Sequence, residues 1–165
     1  MWRPVPTVNQ LVECGLGNHD TIHLGNKSGW LVDGIPKSPL MLEGTVKAIV
    51  DGSFKVKGPI FTGQMAEMGK TVLFETGNGL EIIISSDRME PYDTQVYSII
   101  GCKYIEKDFL LLKSRIYCRP IFGPCSIGLI ECDSDQGGPT SSNYKYFKFK
   151  NIRKTVYPLY KNENI

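Results

Sequence analysis

The sequence is poor in the residues that build catalytic metal centres. It contains only two histidines, His19 and His23, which flank Asp20 in the segment NHDTIH. A pair with this spacing offers zinc two ligands on one face of a helix, whereas a catalytic zinc takes three protein ligands. The glycines before the segment and the β-branched residues within it disfavour a helix. We therefore expect a junction between a loop and a strand here, and no metal cofactor in this chain.

Long apolar runs and an excess of charge are also missing. The longest apolar runs fall far below the roughly 18 residues of a membrane span. No charged segment followed by an apolar one opens the chain. Nineteen basic residues against 17 acidic residues give no general attraction to nucleic acid or to an anionic membrane. We therefore expect a cytoplasmic protein that binds neither nucleic acid nor a membrane.

The five cysteines are an odd number, which argues against a complete disulfide framework and favours reduced thiols. Cys118 is the most interesting of them, because it precedes Arg119 and nearby cations favour the reactive thiolate. A nucleophile also needs a positioned base, and a single sequence does not show whether His19 or His23 lies near this thiol. An independent enzyme that uses Cys118, or that binds metal through His19 and His23, remains an alternative.

The pattern of apolar residues predicts a strand-rich α+β fold with several hairpins and two or three short helices. A chain of 165 residues with 41% hydrophobic content fits one domain with one core. Asp51-Gly52 predicts a tight type I′ hairpin turn, and Gly77-Asn78-Gly79 predicts a second turn by the same logic. The expected helices cover residues 4–14 and 93–100, and the expected strands cover residues 21–24, 41–50, 53–56, 71–75, 80–85, 109–113 and 126–131.

The most informative stretch is FLLLKSRIYCRPIFGP, residues 109–124. Its apolar run predicts a strand buried on both faces, which ends in a cluster of polar residues. Polar side chains at strand ends commonly build sites. A second charged loop, SSDRMEPYD, either offers Arg88 to an anionic group or caps a helix with Asp93. The candidate residues for substrate binding or for a domain interface are Lys113, Ser114, Tyr117, Arg119 and Arg88.

Seven segments, taken in order, resemble the C-terminal domain of the microcystinase C (MlrC-like) zinc metallopeptidase family. They cover nearly the whole chain, and their order is more specific than any one of them. The segments are PVPTVNQLVECGLG, LGNKSG, LEGTVKAIVDGSF, MGKTVLF, SSDRMEPYD, LLLKSRIYCRPIFGP and IRKTVYPL.

The resemblance implies an accessory domain of a peptidase or amidohydrolase that is inactive alone. Zinc and the catalytic residues are then expected in an N-terminal domain absent from residues 1–165, which is the expected partner in cis or in trans. The abrupt start of the sequence, with Trp2 directly after Met1, also predicts a domain of a longer chain. Where the family shows Lys-Ser-x-x-His-Phe-Arg, this chain has Tyr117 and Cys118 at the fifth and sixth positions. Any role of that histidine does not carry over.

A binding or oligomerisation module is the alternative from another class. The basic aromatic segment YKYFKFKNIRKTVYPLYK, residues 144–161, resembles a stacking and phosphate-contact strip, although a half-exposed edge strand has the same alternation. A domain separated from its partner exposes an apolar patch. Self-association is therefore a further expectation.

Overall fold

The structure, a computed structural model, describes residues 5–25, 31–32, 35–36, 38–114, 116–130, 148–153 and 156–157. The chain divides into two compact units, a larger one of residues 1–25 and 40–129 and a smaller one of residues 26–39 and 130–165. In chain order the elements are α1 (Val5–Cys14), β1 (His19–Leu24), β2 (Leu31–Val32), β3 (Ile35–Pro36), β4 (Leu40–Lys55), β5 (Met65–Thr76), β6 (Glu81–Ser85), α2 (Gln95–Ser98), a 3₁₀ turn (Tyr104–Glu106), α3 (Arg119–Phe122) and a second 3₁₀ turn (Gly123–Cys125).

The larger unit is built on a four-stranded antiparallel sheet in the order β1-β4-β5-β6. Short helices pack beside it, so the fold is α+β, as the apolar pattern predicts. In the smaller unit, β2 and β3 form an antiparallel pair. The described part of the basic aromatic segment, residues 148–153 and 156–157, lies in no helix or strand. The rest of that segment lies outside the described residues.

Helix α1 covers one face of the sheet. Its apolar residues recur at helical spacing, which places Val8 and Leu11 against the strands. Both side chains are completely buried, as are Val72 and Phe74 of β5. Gln10 on the same helix donates a hydrogen bond of 3.0 Å to the carbonyl oxygen of Thr21 in β1. The helix thus buries the core and also covers part of an edge strand.

The opposite face of the sheet packs against α2 and the segment that follows it. Phe54 and Met68 from the β4–β5 hairpin contact Val96 of α2 in one buried cluster. Leu73 and Ile100 belong to a neighbouring cluster. Helix α3 joins this side through Phe122, whose ring packs against two tyrosines at centroid distances of 5.8 and 6.0 Å, namely Tyr97 and Tyr104.

The predicted turn at Asp51-Gly52 is wrong. Strand β4 continues through this dipeptide to Lys55, and its pairing with β5 shifts register between Asp51 and Ser53. A β-bulge uses glycine as readily as a turn does, and here Gly52 lies against the neighbouring strand. A Cβ on Gly52 would lie 2.8 Å from the carbonyl oxygen of Gly69. The chain reverses farther on, between β4 and β5. The second predicted hairpin, around Gly77-Asn78-Gly79, is confirmed.

The predicted strand at residues 109–113 is also wrong. These residues lie in no helix or strand, and Leu111 is 93% exposed. The strand predicted at 126–131 is wrong for residues 126–130, which are irregular and exposed, and residue 131 lies outside the described residues. An apolar run indicates burial only if a neighbouring element covers it, and no described element of the larger unit pairs with either segment. The segment between them forms α3.

Candidate functional site

Three segments of the larger unit meet where the chain turns from the end of β4 to the start of β5. They are the hairpin tip of residues 56–64, the loop of residues 86–93, and residues 114 and 116–122. The ring of Phe61 lies 5.3 Å from that of Tyr92 and 6.1 Å from that of Tyr117, both in edge-to-face geometry. Edge-to-face pairs at such distances are favourable. We call the three rings of Phe61, Tyr92 and Tyr117 the aromatic corner.

The hairpin tip holds Phe61 in an unusual backbone conformation. Its φ is +58°, and it is the only residue other than glycine with a positive φ in the described part of the chain. This left-handed conformation costs a residue with a bulky side chain on the order of 1–2 kcal/mol. The backbone N–H of Gln64 donates to the carbonyl oxygen of Phe61 at 3.0 Å, and Val56 N–H donates to the carbonyl oxygen of Gln64 at 2.9 Å. The closed turn thus leaves Phe61 45% exposed.

Asp93 ties the hairpin tip to the start of α2. Its carboxylate is completely buried and accepts three backbone N–H groups, at 2.7 Å from Lys57, 2.6 Å from Gly58 and 2.8 Å from Gln95. Such charge-assisted bonds are the strong ones. A Cβ on Gly58 would lie 3.2 Å from this carboxylate and 3.1 Å from Ile121, so glycine permits the close approach. Asp93 thus accepts the backbone N–H of the first residue of α2 and stabilises the start of the helix, although the N-cap position itself is Thr94.

Ser114 connects the third segment to the loop before Asp93. Its hydroxyl donates a hydrogen bond of 3.1 Å to Glu90 Oε1 and accepts one of 3.2 Å from the backbone N–H of Cys118. Cys118 is buried at the start of α3, whereas Tyr117 beside it is 42% exposed. The serine thus holds the short turn that directs Tyr117 toward Phe61.

Among the predicted site residues, Ser114 contacts Glu90 of the second segment and Tyr117 contacts Phe61 of the first. Arg88 lies exposed on the loop before Tyr92, Arg119 opens α3 with an exposed side chain, and Lys113 is exposed next to Ser114. What any of these side chains binds stays a prediction. Phe61 was missed at the sequence level, where the only signal was the pair of glycines around PIFT.

A second polar cluster joins β6 to the segment after α2. Lys107 Nζ lies 2.8 Å from Glu81 Oε2, and the Cys102 thiol donates to the same oxygen at 3.2 Å. The hydrogen bond from Lys107 holds the pKa of Glu81 below its usual value. Burial, followed by the hydrogen bond to Glu81, raises the pKa of Cys102 to about 11. This thiol is therefore protonated at neutral pH and is a poor nucleophile.

We expect Glu81→Gln to destabilise the protein in a pH-dependent way. Because the folded-state pKa of Glu81 is lowered, its stabilising contribution is present above the unfolded-state value of 4.5 and is lost as the pH falls through the folded-state value. The difference in unfolding free energy between wild type and variant should therefore be constant near pH 7 and shrink below pH ~4. Denaturant titrations at several pH values measure it.

Glu106→Gln is the matched control for this experiment. Glu106 pairs with Lys103 at 3.2 Å, but both side chains are well exposed, so the pair contributes little. A pH-independent difference between wild type and Glu81→Gln would contradict the role of the Glu81 carboxylate.

The two histidines do not form a zinc site with each other. His19 and His23 lie toward opposite ends of β1, about 13 Å apart along the strand. Among the described residues, no three histidine, cysteine, aspartate or glutamate side chains come close enough to hold one ion. The described residues therefore do not fit a zinc ion, which the family resemblance places in an N-terminal domain. Nor does the described part of the chain contain a helix of the length and apolarity of a membrane span.

The comparisons with known proteins agree with the fold. A family model described as MlrC C-terminus matches residues 2–151, most of the chain. The chain belongs to the MlrC C-terminal family. No curated protein matches the sequence.

A solved structure is similar to this MlrC C-terminal chain over most of its length. It is a crystal structure described as a "putative metallopeptidase" from Mesorhizobium sp. BNC1, with a TM-score of 0.72 and 19% sequence identity. The match covers 93% of this chain and 29% of that chain. At this identity the likeness shows a shared fold. The chain thus spans less than a third of the length of its structural neighbour.

Proposed function

We propose that this chain is the C-terminal accessory domain of an MlrC-like zinc-dependent peptidase or amidohydrolase. The domain packs on a catalytic domain and shapes its peptide cleft, and it is inactive alone. The proposal rests on the structural match to the chain described as a "putative metallopeptidase". The match covers 93% of this chain but only 29% of that one. Zinc and the catalytic residues then belong to the rest of such a protein.

Exposed apolar residues support a partner domain. Phe109 and Leu111 are 88% and 93% exposed, and Ile127 is fully exposed. Large apolar side chains with this exposure often belong to surfaces that a partner covers. Burial against a catalytic domain accounts for the apolar run of residues 109–113, whose sequence predicts a core strand.

The test begins with the size of the native polypeptide. An immunoblot of the source cells with an antibody against this domain should show a band much larger than 18.5 kDa. The complete protein, loaded with zinc, should hydrolyse peptides, whereas the purified 165-residue chain with zinc should not. Hydrolysis by the isolated chain that Cys118→Ala or Arg119→Ala abolishes would contradict the proposal.

A stand-alone binding or oligomerisation module is the second candidate. The same exposed residues, Phe109, Leu111 and Ile127, would favour self-association in a chain without a partner domain. A native band at 18.5 kDa and a light-scattering mass of a dimer or larger would favour this candidate. A strictly monomeric chain would count against it.

A further inference from the structure

We propose that the aromatic corner is the surface by which this domain docks onto the catalytic part of the same polypeptide. The inference rests on the proposed function and adds where the contact lies. Phe61 and Tyr117 are the two anchor residues of this surface, and both rings enter an apolar pocket of the catalytic part.

Phe61 combines backbone strain with exposure. Its φ of +58° is unfavourable for a bulky side chain, and burial compensates only in part, because the residue stays 45% exposed. Glycine would relieve this strain at no steric cost. Strained residues cluster at ligand clamps and binding sites, where the strain contributes to preorganisation. The strain therefore points to a use for the ring outside the isolated domain.

Hydrogen bonds hold the aromatic corner in place from both sides. Asp93 fixes the hairpin tip through Lys57 and Gly58, and Ser114 fixes the turn that carries Tyr117. A rigid aromatic anchor loses little conformational freedom on binding, and such residues contribute most of the energy of protein interfaces. The other exposed apolar segment, around Leu111, is irregular and lacks comparable supports in the described part of the chain. The corner is thus the better preorganised of the two surfaces.

The rest of such a polypeptide provides the partner surface. The matched region is 29% of the neighbour's chain, so a protein of that architecture provides a large second surface within the same polypeptide. An interface within one chain needs no affinity for free partners, since the linkage supplies a high effective concentration. Two protruding rings then suffice to fix the orientation of the domain.

The experiment compares side-chain oxidation by hydroxyl radicals in the 165-residue chain and in the complete polypeptide. Phe61 and Tyr117 should be oxidised readily in the isolated chain and at least about fivefold more slowly in the complete protein, because interface cores exclude water. Leu16, which is 66% exposed on another part of the larger unit, is the control and should be unchanged.

Substitutions at position 61 supply the second readout. Phe61→Ala removes the ring and keeps the strain, whereas Phe61→Gly removes both, so in isolation the Phe61→Gly chain should be more stable to denaturant than the Phe61→Ala chain. In the complete protein both changes should accelerate proteolytic cleavage between the domains. Leu16→Ala should change neither cleavage nor oxidation of the corner. An isolated Phe61→Gly chain that is no more stable than the Phe61→Ala chain would show that position 61 is not strained and would overturn the proposal.

The outcomes separate this inference from the proposed function. Protection at Leu111 and Ile127 with an unprotected corner would overturn the docking surface and leave the proposed function intact. A complete protein in which no residue of this domain is protected would overturn both. Protection of the corner in the isolated chain that grows with concentration would make a second copy the occupant and overturn the intramolecular contact.

Discussion

Replacing Asp93 with alanine is expected to lower the free energy of unfolding by roughly 3–5 kcal/mol. The buried carboxylate accepts N–H groups from Lys57, Gly58 and Gln95, and alanine leaves all three without this acceptor. Each unsatisfied buried donor costs about 1–3 kcal/mol. Asp93→Asn should recover little of the lost stability. The asparagine NH₂ group is a hydrogen-bond donor and would face backbone N–H groups, which are also donors. Urea denaturation monitored by circular dichroism gives the difference.

Asp51→Ala is the control for Asp93→Ala. Asp51 also pairs with a partner, Lys70 Nζ at 2.6 Å, but its side chain is 80% exposed. An exposed pair of this kind contributes about 0–1 kcal/mol. If both alanine variants lost a similar small amount of stability, the carboxylate of Asp93 would not hold the hairpin tip. The Asp93→Ala variant should also lose the contact between Phe61 and Tyr92.

The second large effect is expected for Gly52→Asn. In the type I′ turn that the sequence suggests, asparagine would be well tolerated, because it readily adopts positive φ. In the observed bulge, a Cβ would collide with Thr71 Oγ1 and would lie 2.7 Å from Met68 Cβ and 2.8 Å from the carbonyl oxygen of Gly69. Two paired strands would have to separate, so we expect a loss of about 3 kcal/mol or more of stability. Thermal and denaturant unfolding both measure this loss.

Gly77→Asn provides the comparison for Gly52→Asn. Gly77 lies in the confirmed turn between β5 and β6, and a Cβ at this position would meet no atom within 4 Å. We expect that change to alter stability by less than about 1 kcal/mol. Equal tolerance of asparagine at both positions would mean that β4 turns at Asp51-Gly52 after all.

Local patterns predicted some elements well. The spacing of Val8 and Leu11 predicts α1, and the glycines around Asn78 predict the turn between β5 and β6. These signals are sufficient because they depend on residues a few positions apart. Asp51-Gly52 failed because the same dipeptide suits a turn and a bulge, and only the pairing with β5 decides between them.

Only part of the candidate site could be predicted from the sequence. The polar cluster after the apolar run contains Ser114 and Tyr117, which do lie at the junction of three segments. The physical basis for predicting them was wrong, because residues 109–113 form no buried strand. Little in the sequence indicates a role for Phe61, because its positive φ arises from how the hairpin tip closes.

The sequence by itself determined the α+β class, helix α1, the β5–β6 hairpin and the family, because these follow from local periodicity and from the order of short segments. Only the tertiary structure decided the bulge at Gly52 and the aromatic corner. Asp93 bonds to groups 35 and 36 residues earlier in the chain, and such partners become neighbours only when the sheet and helices pack. Contacts over that separation leave no periodic trace in a single sequence, which is why the surface proposed for docking emerged from the packed structure.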